Sequence, residues 1–250
     1  MAGAPRLLSR FLKAPARGAL LAVCLWPALP GGVAADTIAS ARYSEPTDRY
    51  AHGVLGDAIE WGALELTLTD GRTTTFTLPT DHVFEDVAPR LVDLDADGAP
   101  EVIVVEADVT AGAALAVYGP AGKITETPHI GTRNRWLAPI GAADLDGDGI
   151  VEIAFVDRPH LAKTLRVWRY DSETLMQVDS LQGVTNHRIG EVDIAGGIRT
   201  CVDDPEMIVA TANWSQLVAV TWNADGFVTK PIGNTTSRAA FARAMDCRDP

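Results

Sequence analysis

Two segments of this chain, Asp93-Leu-Asp95-Ala-Asp97-Gly98-Ala99-Pro-Glu101 and Asp144-Leu-Asp146-Gly-Asp148-Gly149-Ile150-Val-Glu152, repeat one acidic spacing 51 residues apart. Each places four carboxylates in nine residues and runs directly into an apolar stretch, Glu101–Val105 or Glu152–Val156. Carboxylates this close repel one another, so the turn needs a compensating positive charge. Calcium suits it, because the ion collects roughly six to eight oxygens and carboxylates at alternate positions of a tight loop supply them. The first set is Asp93, Asp95, Asp97, the carbonyl of Ala99 and Glu101; the second is Asp144, Asp146, Asp148, the carbonyl of Ile150 and Glu152. Two Ca2+ sites are therefore expected. Gly98 and Gly149 follow the third aspartate, where the chain must bend sharply and a residue without Cβ tolerates positive φ. An EF-hand is excluded: it needs glutamate at the twelfth loop position, where Val104 and Phe155 stand, and strand-forming runs replace its exit helix.

A hairpin pattern recurs around these loops. Leu64–Leu68, Leu115–Tyr118, Leu165–Trp168 and Leu217–Val220 each lead into a turn and a second alternating run. The turn glycines Gly71 and Gly122 are 51 residues apart, and Gly122 and Gly226 are 104 apart, two further periods. Such spacing marks one supersecondary unit used repeatedly. An acidic loop that opens a buried strand within a repeat of about 50 residues resembles the FG-GAP/VCBS-type repeats of integrin-α-like β-propellers. The resemblance implies an all-β chain: a small propeller of four blades, or five, in one domain over residues 36–250. It also implies an interaction module in which calcium is structural.

The ends of the repeat pattern are incomplete. A third loop start at Asp193 has Ala195 and Gly197 in place of ligands and is assigned no metal. A fourth, at Asp246, follows Ala239–Met245, which reads as a front strand lacking the rest of its repeat, whereas the first hairpin has no acidic loop ahead of it. Each end lacks what the other supplies, so the ring is expected to close by pairing of the N- and C-terminal parts, which also removes an exposed sheet edge.

Residues 1–35 read as a signal peptide: Arg6, Arg10, Lys13 and Arg17 precede an apolar stretch from Ala19 to Leu29 and a small-residue site at Val33-Ala-Ala35. Export to the periplasm or the cell exterior is expected, with no membrane insertion of residues 36–250. Those residues carry 17 basic and 33 acidic side chains, a balance of −16 that speaks against nucleic acid and anionic membrane surfaces as partners. In an oxidising compartment Cys201 and Cys247 are expected to form a disulfide. No zinc spacing, hydrolase motif or phosphate loop accompanies the five histidines, so catalysis is not the first expectation. Arg135, Trp136, His160, His187, Arg188 and Arg238 stand beside strand ends and are candidates for binding an anionic or sugar ligand at one end of the ring. The competing reading pairs each arginine with a neighbouring acid. The expected partner is a protein or glycan and the expected state a monomer, with a lectin-like binder or a channel-sited hydrolase or lyase as alternatives.

Overall fold

The structure, a computed structural model, describes Met1, Gly3 and residues 36–250. Apart from Met1 and Gly3, the expected signal peptide lies outside the described residues. Asp36–Pro250 forms one compact unit. No helix among the described residues is long and apolar enough to cross a membrane.

Asp36–Pro250 is built from antiparallel strands. Its first group is β1 (Ile38–Thr47), β2 (Glu60–Leu68), β3 (Thr73–Thr77) and the short β4 (His82–Phe84). A second comprises β5 (Arg90–Val92), β6 (Glu101–Asp108), β7 (Gly112–Gly119) and β8 (Gly122–Glu126). The third is β9 (Leu137–Ala143), β10 (Glu152–Asp157), β11 (Thr164–Asp171) and β12 (Thr174–Gln182). The last holds β13 (Val184–Thr185), β14 (Gly197–Thr200), β15 (Pro205–Thr211), β16 (Leu217–Asn223) and β17 (Gly226–Gly233), followed by α1 (Arg238–Met245). The order β12-β11-β10-β9 makes one sheet and β13-β15-β16-β17 another, with β14 on β15. The first two groups are continuous, because β4 pairs with β2 and β6. All four hairpins expected from the turn pattern form, as β2–β3, β7–β8, β11–β12 and β16–β17. This all-β arrangement of repeated antiparallel sheets fits a β-propeller.

The core follows from strand periodicity. Residues Val102 to Val105 of β6 are all fully buried, so this strand is covered on both faces. Val102 and Val104 pack with Leu64, Leu66 and Phe84 from the first group. Ile103 and Val105, pointing the other way, pack with Leu137, Ile153 and Phe155 of the third. The same alternation continues one sheet further on, where Ala154, Val156 and Val167 meet Met207, Val209 and Val220.

Two expectations are corrected. Residues 239–245 are not a front strand but most of α1, and among the described residues β1 pairs with β2 and with no C-terminal strand. The reason is local: alanine-rich sequence favours helix, Ser237 caps it by accepting from the Ala240 N–H at 3.2 Å, and Ala240, Phe241 and Ala244 share the buried face. Among the described residues the N- and C-terminal parts are therefore not joined by strand pairing. The third loop also starts elsewhere. Asp193 precedes β14, and the turn between β14 and β15 is the shorter Cys201–Asp204.

Cys201 and Cys247 form the expected disulfide, with Cα atoms 5.6 Å apart. It ties the chain after α1 to the β14–β15 turn across 46 residues. Replacing both cysteines by serine should cost about 4 kcal/mol on the chain-entropy account; denaturant unfolding of the variant, and of the reduced wild type, checks it.

Candidate metal centre

The first acidic loop joins β5 to β6 and the second joins β9 to β10. In the first loop the carboxylates turn inward onto the backbone. Asp93 Oδ2 accepts from Gly98 N at 3.1 Å, Asp95 Oδ1 from Asp97 N at 3.1 Å, Asp97 Oδ1 from Ala99 N at 2.7 Å, and Glu101 Oε2 from Leu94 N at 2.9 Å. The turn requires left-handed backbone at Ala96 (φ 60°) and Gly98 (φ 90°). One carboxylate oxygen each of Asp93, Asp95 and Glu101 converge within 4.8 Å, whereas Asp97 lies outside that set. Asp93 Oδ1 is buried and has no hydrogen-bond partner among the described residues. Burial, followed by the charges of Asp95 and Asp97, pushes the Glu101 carboxyl above its usual range, against the opposing Leu94 N–H. An all-oxygen donor set with an orphaned oxygen and mutually repelling acids fits a hard divalent cation.

The second loop repeats this geometry with one difference. Asp144 accepts from Gly147 N at 2.8 Å and Gly149 N at 3.0 Å, Asp148 from Ile150 N at 2.9 Å, and Glu152 Oε2 from Leu145 N at 3.0 Å. Asp144, Asp146 and Glu152 converge within 4.8 Å, and Asp148 again stands outside. Here, however, the Arg169 guanidinium enters the loop, 2.7 Å from Asp146 Oδ2, 2.9 Å from Asp148 Oδ2 and 2.7 Å from Glu152 Oε1. Glu152 is fully buried, and that burial raises its carboxyl in spite of the arginine. A third acidic group, Asp81, His82 and Asp108, also converges. Asp81 and His82 are adjacent, but Asp108 lies 26 residues beyond His82 and meets them only because β4 pairs with β6, and no motif announces the group.

The candidate ligand residues divide. Arg135, Trp136 and His160 line a cleft of about 200 Å3 with His52, Arg158 and the exposed Leu161 and Ile189. His187 is buried beside it, 3.0 Å from the His160 ring. Arg188 and Arg238 do not join them: Arg188 lies over the Trp214 ring at 3.7 Å, and Arg238 pairs with Glu191 at 2.6 Å and Asp193 at 2.8 Å. Arg135 makes no ion pair among the described residues and donates only to the Asn134 carbonyl, at 2.9 Å. Sequence reasoning missed Glu85, a fully buried acid whose Oε1 is 2.5 Å from His52 Nδ1 and whose other oxygen has no partner among the described residues. Burial, followed by the charge of Asp86, raises its carboxyl well above the usual range. Trp136 is only 2% exposed and donates to the Glu85 carbonyl at 2.8 Å, which makes it a core side chain.

The carbonyl of Glu191 lies 2.9 Å from His187 Nε2 and can only accept, so His187 donates there and its Nδ1 accepts from His160. Burial, then the neighbouring His187 and His52, lowers His160 to about 4. The native ring thus refuses a proton that the unfolded chain accepts, and stability should fall as pH drops from about 6.5 to about 4. His160→Gln should flatten that dependence in melting experiments. Separately, left-handed backbone at a non-glycine residue costs about 1–2 kcal/mol, so Ala96→Gly, copying Gly147 of the second loop, should stabilise the protein by about 1 kcal/mol. Chemical denaturation measures it.

A profile described as an FG-GAP-like repeat matches residues 93–155, about a quarter of the chain, covering both acidic loops and the strands between them. No curated protein and no solved structure matches the chain. The segment 93–155 is thus similar to an FG-GAP-like repeat, which suggests a β-propeller type of interaction module.

Proposed function

We propose that the chain is an exported calcium-binding β-propeller of four blades that acts as an interaction module, with calcium structural rather than catalytic. The observation that carries this reading is the first loop: convergent carboxylates, no arginine or lysine paired with them among the described residues, and a buried Asp93 oxygen without a partner among those residues, inside a segment that matches an FG-GAP-like repeat. Bound calcium would supply the missing charge and stabilise the native state by mass action. The division of the strands into four groups supports that blade count. Export is supported by the basic-then-apolar N-terminal sequence and by the disulfide, which an oxidising compartment maintains.

The cleft beside Trp136 is the favoured ligand site because Arg135 remains unpaired in a strongly acidic chain, which selects an anionic partner group. A sugar stacked on the tryptophans is less well served, since Trp136 is buried and one face of Trp214 carries Arg188.

Thermal unfolding of the purified protein in EDTA and in millimolar calcium tests the main reading. At free calcium 100 times its dissociation constant, linkage predicts about 2.7 kcal/mol of added stability, and Asp95→Ala should abolish the rise. An unchanged melting temperature, with no metal found by elemental analysis, would remove the reading. Binding to an array of anionic glycans and acidic peptides, lost in Arg135→Glu with melting unchanged, is the expected outcome for the cleft.

A further inference from the structure

Strand register aligns three glutamates at or next to the first residue of β6, β10 and β15. In the second group Glu101 stands opposite Val92; in the third Glu152 stands opposite Ala143; in the last Glu206 stands opposite Arg199. The strand on the other side is equally informative. Glu152 faces Arg169 on β11, whereas one step beyond the Val102–Tyr118 pair Glu101 faces Gly119 on β7. The positions are equivalent and their compensating charges are not.

Glu206 is met by Arg199, whose Nε and Nη2 reach its Oε2 at 2.8 and 2.7 Å while Nη1 donates to the Ala244 carbonyl at the end of α1. The loop ahead of it is cut to four residues and tied by the disulfide to Cys247. Glu152 is met by Arg169, which also reaches Asp146 and Asp148, so both oxygens of Asp144, Asp146, Asp148 and Glu152 have protein partners within 3.3 Å. Among the described residues Glu101 has no such cation. Gly119 offers no side chain, and the first loop opens on a cleft of about 450 Å3 lined by Asp95, Asp97, Glu101, Lys123 and Tyr170. The ammonium of Lys123 is held elsewhere, 2.8 Å from Glu106 and 2.7 Å from Glu126.

We propose that the second loop is closed by Arg169 as a built-in cation and that the first loop alone takes a divalent ion. The reading rests on calcium binding at the first loop. A guanidinium that already spans three of the four acids leaves no carboxylate oxygen free for a metal in the second loop, so the donor set there does not fit calcium although its sequence spacing does. The protein therefore holds one ion per chain rather than two, and the two near-identical motifs differ in function because of one residue on a neighbouring strand.

Calcium stoichiometry of the purified full chain, by elemental analysis after desalting and by calorimetric titration, decides it. One equivalent is expected for the wild type, none for Asp95→Asn and one for Asp146→Asn. Two equivalents in the wild type, or an ion lost in Asp146→Asn and kept in Asp95→Asn, would overturn this inference while leaving calcium binding intact. No bound ion in the wild type would overturn calcium binding itself. Arg169→Gly, checked for folding by circular dichroism in calcium, should bind a second equivalent. The reciprocal Gly119→Arg should lose the first; a Cβ there approaches only the far end of the Ile124 side chain, at 3.1 Å, so the fold should tolerate it. A folded Gly119→Arg variant that keeps its ion would count against the proposal.

Discussion

Charge compensation where a buried strand begins is the constraint on which the rest of this structure depends. Glu101 and Glu152 open strands whose next residues are wholly buried, and each sits at the end of a turn carrying three more carboxylates. Burial alone raises both carboxyls, and neighbouring aspartates add to the effect. Backbone N–H groups of the loop absorb part of this charge, at Leu94 and Leu145 for example, but four acids exceed what a few amides offset. Something positive has to arrive from outside the loop. In the third strand group it is Arg169; in the last it is Arg199, beside a loop shortened and cross-linked by a disulfide.

The strands that follow these loops need that closure because they are the core. Alternate residues of β6 and β10 pack into different apolar clusters, so each of these strands joins two clusters at once. A displaced loop would shift the register at the strand's first residue and, with period-2 side chains, would exchange its buried faces. The acidic loops are thus better understood as clasps on the stacking of sheets than as surface ornaments. On this view a ligand site is a separate matter, and the cleft around Arg135 draws its residues from loops between strands.

Much of the fold was legible in residue order. The four hairpins were marked by turn residues between alternating runs, and the second strands by unbroken apolar stretches after glutamate. The cysteine pair was legible as well. The C-terminal helix was misread because the repeat count demanded a strand there, yet Ser237 followed by an alanine-rich run with apolar residues at 240, 241 and 244 carries a helix signal of its own. The third loop was placed too early for the same reason: a period of about 50 residues located Asp193, while hydrogen-bonded register located Cys201–Asp204. Glu85 and His52 were invisible as a pair, being 33 residues apart with no motif to join them.

By itself the sequence determined the local elements: two acidic turns with inward-facing carboxylates, the hairpins they feed, and the apolar alternation that makes each sheet two-faced. Those features depend on neighbours within a few residues, and spacing encodes them directly. Only the tertiary structure decided which acids are already neutralised. Arg169 and Gly119 lie 17 and 18 residues beyond the glutamates they face, on another strand, and antiparallel pairing alone sets Arg169 against Glu152 and leaves Glu101 facing a glycine. Electrostatic balance is a property of proximity in space, which is why two loops nearly identical in sequence are not equivalent in the folded chain.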